Sequence, residues 1–224
     1  MSARGINVDI IQTMARQAGL DDAGVVQAQY WQQPAAFMDD WLEQGLHGNL
    51  DYLTRNRDKR YDIRQLVPGA QSVIVVLLSY AHSGHDYHRT VKSALYQLQA
   101  LLIQEFGQHI VSDQYQHIFC DSAPVLERQF AVQAGLGFIG KNHQLIHLVL
   151  GSQVHIGELV LQVPVPIDKV TPVQNGCGTC TRCIDACPGK ALGKEQWDAR
   201  KCVAYVTHKC LTCQIVCPYN ERMV

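Results

Sequence analysis

The chain has 224 residues, of which 47% are hydrophobic and 17% are charged, and its net charge is −1. This balance indicates a globular chain with a sizeable core and excludes an overall charge that attracts nucleic acid. No apolar run approaches the roughly 20 residues of a membrane span. The N-terminal MSARGINVDIIQ lacks the apolar core of a signal peptide. We therefore expect a cytoplasmic protein with no membrane partner.

The first 165 residues show the mixed periodicity of an α/β (α+β) domain. Helical spacing runs over 8–18 and stops at Gly19, and Pro34 is well placed to open a second helix over 34–43. The run 72–80 is apolar and rich in β-branched residues, which predicts a central buried strand. The other predicted elements are a helix over 91–106, a strand over 116–120, a helix over 124–134 and a strand pair over 144–150 and 154–163.

Eight of the nine cysteines lie between residues 177 and 217, beyond a proline-containing linker predicted over 164–176. In a reducing compartment, cysteines this crowded more often hold metal than form disulfides. The first set reads CGTCTRCIDACP, the spacing of the bacterial ferredoxin run, in which the fourth cysteine ligates a second cluster. The second set reads CLTCQIVCP, with Cys202 upstream.

The two cysteine sets predict two 4Fe–4S clusters with crossed ligation. The first cluster would take Cys177, Cys180, Cys183 and Cys217, and the second would take Cys187, Cys202, Cys210 and Cys213. A pair of zinc sites is the alternative, since CxxC pairs also suit zinc, but two interlocked runs that each end in Cys-Pro favour clusters. Residues 176–224 carry seven Lys and Arg, Lys194 among them, against four Asp and Glu, and this positive charge suits anionic clusters.

Several shorter motifs before the linker are weaker signals. GLGFIG at 135–140 matches the dinucleotide fingerprint but follows a predicted helix, so we interpret it as a tight turn that brings backbone close to a ligand. HQLIH at 143–147 lacks the Glu of a zinc protease, and HSGHDYH at 82–88 is most simply a polar loop. RNRDKRYDIR at 55–64 mixes both charge signs, which is typical of a solvated face, with phosphate binding as the alternative.

One longer stretch, CDSAPVLERQFAVQAGLGFIGKN at 120–142, resembles the signature of the epoxyqueuosine reductase family. Residues 45–80 are similar to the family's early segment, HDYH at 85–88 to its Asp-Tyr-His element, and GSQVHIGEL at 151–159 to the strand before its clusters. The two cysteine runs, with DARKCVAY between them, resemble its cluster module in the same order. The resemblance therefore covers nearly the whole chain.

This resemblance implies a nitroreductase-like domain over 1–165 that holds cobalamin, and a ferredoxin-like module with two 4Fe–4S clusters over 175–224 that feeds it electrons. The implied reaction completes queuosine in tRNA: reduced cobalt attacks the epoxide, and an acid protonates the departing oxygen. Asp121 matches that acid. The implied cofactor-binding residues are Asp86, Tyr87, His88, Ser122, Ala123, Gly137, Ile139, Gly140, Lys141 and Asn142.

For Asp121, the residues themselves leave a structural alternative open. Asp followed by Ser-Ala-Pro is also a good N-cap for the helix predicted over 124–134, with the carboxylate accepting backbone N–H bonds. A general acid needs this residue type within hydrogen-bond reach of the departing oxygen. The resemblance favours the catalytic role.

The resemblance also implies partners. A flavodoxin- or ferredoxin-like protein is the expected electron donor, and tRNA is the expected substrate. The chain stops soon after its last cysteine, where longer family members continue with a region that helps hold tRNA, so we expect weak and salt-dependent tRNA binding. The alternatives are an iron–sulfur electron carrier with a degenerate cofactor domain, a reductase of a small molecule, and a flavin-binding reductase.

Overall fold

A four-stranded antiparallel sheet organises the first part of the computed structural model, which describes residues 5–167, 172–193, 196–207 and 209–221. The spatial order of the strands is β1 (Asp22–Gln27), β2 (Ser72–Ser79), β6 (Val154–Leu161) and β3 (Ile118–Phe119). All three pairings are antiparallel. β2 is central and buried at every position, which confirms the strand predicted over 72–80.

Two further strands form a separate hairpin, β4 (Phe138–Ile139) with β5 (Leu145–Ile146). The predicted pairing of 144–150 with 154–163 is therefore wrong, because β5 pairs with β4 whereas β6 joins the main sheet. β1 escaped prediction. Its sequence DAGVVQ contains both Ala and Gly, which are depleted in strands.

Helices pack on both faces of the main sheet, and three short helices come later in the described part of the chain. The helices before residue 167 are α1 (Val8–Gln17), α2 (Gln32–Glu43), α3 (Arg57–Tyr61), α4 (Tyr80–Ser83), α5 (Tyr87–Phe106) and α6 (Glu127–Gln133). Those after residue 172 are α7 (Arg182–Asp185), α8 (Val203–Thr207) and α9 (Thr212–Ile215). Single 3-10 turns lie at Asp51–Leu53, Ile63–Gln65, Gln108–Ile110 and Ala199–Lys201. No described helix is long and apolar enough to cross a membrane.

Local hydrogen bonds explain where two of these helices begin. α5 starts at Tyr87, four residues before the apolar pattern, because Asp86 accepts a hydrogen bond from the backbone N–H of Arg89 at 3.2 Å. α6 starts at Glu127 and not at Pro124, because the Val125 N–H bonds to the Ala123 carbonyl and closes a tight turn. The predicted helix over 124–134 is thus three residues shorter at its start.

Two apolar cores lie on opposite faces of the main sheet. One joins α1 and α5 to the sheet through fully buried residues such as Ile11, Leu95 and Leu98. The other packs Phe130 of α6 against the opposite face. Gly157 of β6 allows α5 to approach closely, since a Cβ there would lie 2.7 Å from a methyl carbon of Val91. We call residues 5–167 the main region.

Several described contacts attach the cysteine-rich region, residues 172–221, to the main region, and two of these points are at Trp41 and Ser152. The rings of Trp41 and Trp197 stack at a centroid distance of 5.6 Å, and the Trp41 indole N–H donates to the Trp197 carbonyl at 2.5 Å. At the other point, the Ser152 N–H donates to Asn220 Oδ1 at 2.7 Å, and Gln214 Nε2 donates to the Ser152 carbonyl at 2.6 Å. The predicted linker over 164–176 lies partly outside the described residues.

Candidate active site

A cavity of about 610 Å³ lies where the two regions meet. Its walls come from α2, from the segment that leads into α6, from the β4–β5 turn and from the cysteine-rich region. Phe37, Met38 and Trp41 form an apolar side, and Asp121, Glu127 and Lys141 bring charge to it. We call this space the large cavity. Its other polar and aromatic wall residues include Tyr52, Arg60, Asn175 and Trp197.

Asp121 lies at the rim of the large cavity, two residues after β3. Its Oδ2 accepts a hydrogen bond from the Tyr87 hydroxyl at 2.6 Å, and its backbone N–H donates to Glu127 Oε1 at 2.8 Å. Its φ is +50°, a left-handed conformation that costs roughly 1–2 kcal/mol for a residue with a Cβ. The site therefore holds this carboxylate in a strained but hydrogen-bonded position.

The structure also decides against a capping role for Asp121. The N-cap of α6 is Leu126, which makes no side-chain capping bond, and Asp121 lies five residues further upstream. The alternative that Asp121 caps the following helix is therefore wrong. Its carboxylate is exposed and borders the large cavity instead.

Two other carboxyl groups lie close to Asp121, and the sequence patterns gave no sign of either. Burial, and then the charge of Asp121, raises the pKa of Glu127 to about 8. Glu158, on β6, is fully buried, and neither of its carboxylate oxygens has a hydrogen-bond partner. Burial raises the pKa of Glu158 well above its usual value, and Glu127 and Asp121 add to the effect. Both glutamates therefore favour the neutral acid near pH 7.

Aromatic rings stack beside the Asp121 carboxylate. The Tyr87 ring lies 4.0 Å from that of His155 and 3.9 Å from that of His88, and Tyr80 stacks on the other side of His155 at 4.3 Å. Burial, and then hydrogen bonding to Asp121, raises the pKa of Tyr87, so this hydroxyl keeps its proton and remains a donor. The stack thereby fixes the direction of the Asp121 side chain.

Basic residues approach the large cavity from three segments. Arg60 is buried, lines the cavity and leaves its Nε without a partner, so the prediction of a solvated face over 55–64 is wrong at this position. Arg128 donates to the His143 carbonyl. Lys141 Nζ donates to the carbonyls of Gly178 and Cys180 at 2.7 and 3.0 Å, which joins the cavity wall to the first cysteine loop.

The structure brings only some of the predicted cofactor-binding residues to the large cavity. Ala123, Ile139, Gly140 and Lys141 line it. The others lie elsewhere: Asp86, Tyr87 and His88 at the start of α5, Ser122 beside Asp121, Gly137 directly before β4, and Asn142 within the β4–β5 turn. Asn142 is buried, and its Nδ2 has no hydrogen-bond partner.

The glycines of GLGFIG serve close packing within the chain. A Cβ on Gly137 would lie 2.3 Å from the Ile146 carbonyl oxygen, and one on Gly140 would lie 2.3 Å from the Ile146 side chain. The motif follows α6 and enters β4, so it lacks the strand-to-helix context of a dinucleotide site. The motif forms the short junction from α6 to β4, where the close approach at these two glycines is to Ile146, and an approach to a ligand stays a prediction.

Four cysteine thiols line a smaller cavity of about 160 Å³, which we call the thiol cavity. They are Cys177, Cys180, Cys183 and Cys217, the set predicted for the first cluster. Lys141, Asn142 and Tyr219 complete its wall. Cys177 and Cys217, at opposite ends of the cysteine-rich sequence, thus converge as the predicted crossed ligation requires.

Cys187, Cys202 and Cys210, the other members of the set predicted for the second cluster, lie near Cys213. Burial, and then the nearby thiols of Cys202, Cys183, Cys210 and Cys187, raises the pKa of Cys213 to about 11. α7, which carries Cys183, and α9, which carries Cys213, pack against each other. Among the described residues, no three His, Cys, Asp or Glu side chains are placed to hold a single metal ion. Lys194, one of the basic residues noted above, lies outside the described part.

A redox enzyme is the class of protein indicated by the α/β fold, the carboxylates at the large cavity and the two sets of four cysteines. Curated epoxyqueuosine reductases from Leadbetterella byssophila and Cyclobacterium marinum are 35% and 33% identical to the chain, across 94% and 99% of its length. The aligned parts span 79% and 81% of those relatives. The chain belongs to the epoxyqueuosine reductase family and is therefore an oxidoreductase, as its motifs indicated. No protein-family model matches it.

Solved structures agree with this family and extend the fold beyond it. Epoxyqueuosine reductase from Streptococcus thermophilus is 25% identical, with a TM-score of 0.83, over 96% of this chain and 67% of that one. An epoxyqueuosine reductase in complex with a modified tRNA-Tyr stem loop gives 25% identity and a TM-score of 0.82, over 95% and 65%. A B12-dependent reductive dehalogenase shares the fold at 14% identity and a TM-score of 0.60, over 98% and 34%.

Proposed function

We propose that this chain reduces epoxyqueuosine in tRNA to the alkene, with cobalamin held in the large cavity and two 4Fe–4S clusters supplying electrons. In this proposal, residues 1–165 form a nitroreductase-like cofactor domain and residues 175–224 form a ferredoxin-like module. The observation that carries the proposal is the position of Asp121. Its carboxylate borders the large cavity, to which both regions contribute wall residues, and is oriented by Tyr87.

The large cavity suits a broad, planar organic group such as the corrin of cobalamin. Its volume of about 610 Å³ falls within the range of roughly 300–1,000 Å³ that ligand sites occupy. Phe37, Met38 and Trp41 offer an apolar surface for the ring, while Asn175 and Lys141 could meet peripheral amides. When bound, cobalamin supplies a metal centre that reaches a highly reduced state.

The two sets of four cysteines suit 4Fe–4S clusters. The thiol cavity has four soft thiolate donors and, at about 160 Å³, is wider than a site that closes around one ion. The second group gathers Cys187, Cys202, Cys210 and Cys213. Cys183 of the first group also influences Cys213, so the two sites are neighbours and electrons can pass between them over a short distance.

Asp121 acts as a general acid in this proposal. Conversion of an epoxide to an alkene breaks both C–O bonds, consumes two electrons and two protons, and releases water. A carboxylic acid within hydrogen-bond reach protonates the oxygen as it departs and contributes roughly 10²–10⁴ in rate. Tyr87, which donates to Oδ2, leaves Oδ1 of Asp121 free of that bond and able to face the oxygen.

Two partners follow from the proposal. A tRNA stem loop would present its modified base at the large cavity, where the exposed aromatic residues Phe37 and Tyr52 stand beside Arg60. A flavodoxin- or ferredoxin-like protein in the cytoplasm would supply single electrons to the clusters. Both partners carry negative charge, which suits the basic excess of residues 176–224.

Turnover on a tRNA stem loop that contains epoxyqueuosine tests the proposal. The anaerobic chain, loaded with cobalamin and supplied with a chemical reductant, should convert the stem loop to a product one oxygen lighter by mass spectrometry. Reaction with the free nucleoside alone would instead identify a small-molecule reductase. Reversible cluster reduction without turnover on either substrate would identify an electron carrier.

The cluster assignment has its own test. The anaerobic chain should contain about eight irons and eight labile sulfides, whereas zinc with little sulfide would overturn it. Cys217→Ala should damage the cluster of the thiol cavity, because Cys217 lies with Cys177 there. Loss of only the other cluster in this variant would contradict the crossed ligation. Cys120→Ala is the matched control, since Cys120 lies apart in the main core.

A further inference from the structure

The reaction needs two protons, and Asp121 can release only one in each protonation cycle. We propose that Glu127 holds the second proton and passes it to Asp121 during turnover. This inference rests on the proposed function, because it concerns the proton supply of that reaction. In balance, the acids Asp121 and Glu127 lose one proton each, the epoxide oxygen gains both and leaves as water, and the clusters supply the two electrons.

The geometry places the two carboxyl groups together. Glu127 Oε1 accepts the backbone N–H of Asp121 at 2.8 Å, which holds the Glu127 side chain against the Asp121 residue. The charge of Asp121 also raises the pKa of Glu127, as expected for two neighbouring carboxyl groups. Both line the large cavity, so a proton can move between them without leaving the site.

The alternative donors are less suited to the second step. The Tyr87 hydroxyl already donates to Asp121, but its raised pKa makes it a far weaker acid than a carboxyl. His155 is stacked between Tyr87 and Tyr80, and its Nε2 lies 3.1 Å from Ser83 Oγ. Lys141 donates to two carbonyls of the cysteine loop. Glu127 remains the acid in direct contact with Asp121.

The surroundings of Glu127 keep it neutral until it is needed. The titratable and charged groups that influence it or are influenced by it are Asp121, Arg128, Glu158, Arg60, Tyr87 and Cys120. Burial and the Asp121 charge raise the pKa of Glu127, and Arg128 opposes them. Glu158 is fully buried, and its own pKa is raised by burial and by the charge of Glu127, so it also favours the neutral acid.

Glu127→Gln separates proton supply from structure. Glutamine keeps the size of the side chain and an oxygen that can accept the Asp121 N–H, but it has no acid proton. Turnover should fall roughly 100-fold. In the parent chain turnover should decline as pH rises through the Glu127 pKa of about 8, since the acid form is lost there, and this decline should be absent in the variant.

Infrared spectroscopy gives a readout that does not depend on turnover. The full chain with its clusters, without cobalamin, should show a protonated-carboxyl C=O band that disappears between about pH 7 and 9, since the pKa of Glu127 is raised to about 8. The band should be lost in Glu127→Gln and kept in Glu105→Gln, whose side chain is exposed on α5. Persistence of the titrating band in Glu127→Gln would overturn the proposal.

Two further outcomes decide between structure and proton transfer. Glu127→Asp should restore part of the turnover and the decline at high pH, because it restores an acid; equal loss in the Asp and Gln variants would overturn the inference. If the parent chain leaves the epoxide unreduced, the proposed function fails, while the infrared titration still decides whether Glu127 holds the proton.

Discussion

The main region and the cysteine-rich region are held together in different ways. The main region buries large apolar side chains on both faces of its sheet, among them Leu95, Leu98 and Phe130. In the described part of the cysteine-rich region, the buried apolar side chains are Cys183, Ala191, Leu192, Ala199 and Cys217. Its three helices have four or five residues each, too short to be stable alone. The first region therefore folds by burial, whereas the second depends on what its thiols bind.

Removal of iron should have the largest effect and should be confined to one region. Chelation under anaerobic conditions should abolish hydrogen-exchange protection across residues 177–217, because metal ligation replaces an apolar core there. Protection of β2 and β6 in the main region should persist, since their side chains are buried independently of the thiols. Loss of protection in both regions together would show that the comparison is wrong.

Asp121→Asn should reduce turnover by roughly 10²–10⁴-fold and leave both regions folded. Asparagine keeps the size of the side chain and can accept the Tyr87 hydroxyl bond, but it cannot donate an acidic proton. Steady-state rates on the epoxyqueuosine stem loop, iron content and thermal unfolding together test this. Asp113→Asn, the same substitution at an exposed carboxylate that contacts Gln108 away from the large cavity, is the matched control. Parent-level turnover by a folded Asp121→Asn chain would remove its role as the acid.

Leu98→Ala should destabilise the main region and leave the iron content unchanged, which is the opposite of the effect expected for iron removal. Leu98 is fully buried in the core between α5 and the sheet, so the substitution should lower the free energy of unfolding of the main region by about 2–5 kcal/mol. Iron and sulfide content should be unchanged at temperatures where the main region stays folded. Denaturant unfolding monitored by circular dichroism, with cluster absorbance followed in parallel, separates the two. Coincident loss of both signals would indicate one cooperative unit.

Lys141→Met should give the smallest effect and act at the contact between the regions. The substitution removes the two hydrogen bonds from Nζ to the carbonyls of Gly178 and Cys180. A hydrogen bond to a charged group contributes about 1.5–3 kcal/mol when it is well buried. The contribution is smaller here because Lys141 is half-exposed. Iron release from the thiol cavity should become several-fold faster, measured with a colorimetric chelator. Lys92→Met, on α5, is the control. An unchanged rate would show that ligation alone holds this loop.

The sequence allowed the parts with strong local patterns to be predicted. The cysteine spacing predicted the four thiols that line one small cavity, and the unbroken apolar run predicted β2. Two-residue strands such as β3 and β4 are too short for a period-2 pattern, so their pairing could not be predicted. The resemblance of the DSAP stretch, and not its local pattern, pointed to Asp121 as an acid.

The large cavity itself was beyond prediction because its walls come from segments far apart in the chain. Phe37, Arg60 and Trp197 share no motif, and the mixed charges around Arg60 suggested a solvated surface. Glu158 gives no signal in sequence either. It occupies a strand position whose neighbours are apolar, and only the pairing with β2 and β3 shows that it is buried.

The hydrogen bonds that join Ser152 to Asn220 form a clamp between the two regions, and this clamp has a consequence for the order of assembly. Asn220 contacts the Ser152 backbone and hydroxyl as well as the Gln214 carbonyl, and 68 residues separate the two ends of the clamp. Closing a loop of that length carries an entropy cost that only complete contacts repay. Asn220 also follows Cys217 in the chain, so during synthesis the clamp can close only after all eight cysteines have been added. Until then, the two regions lack this point of attachment.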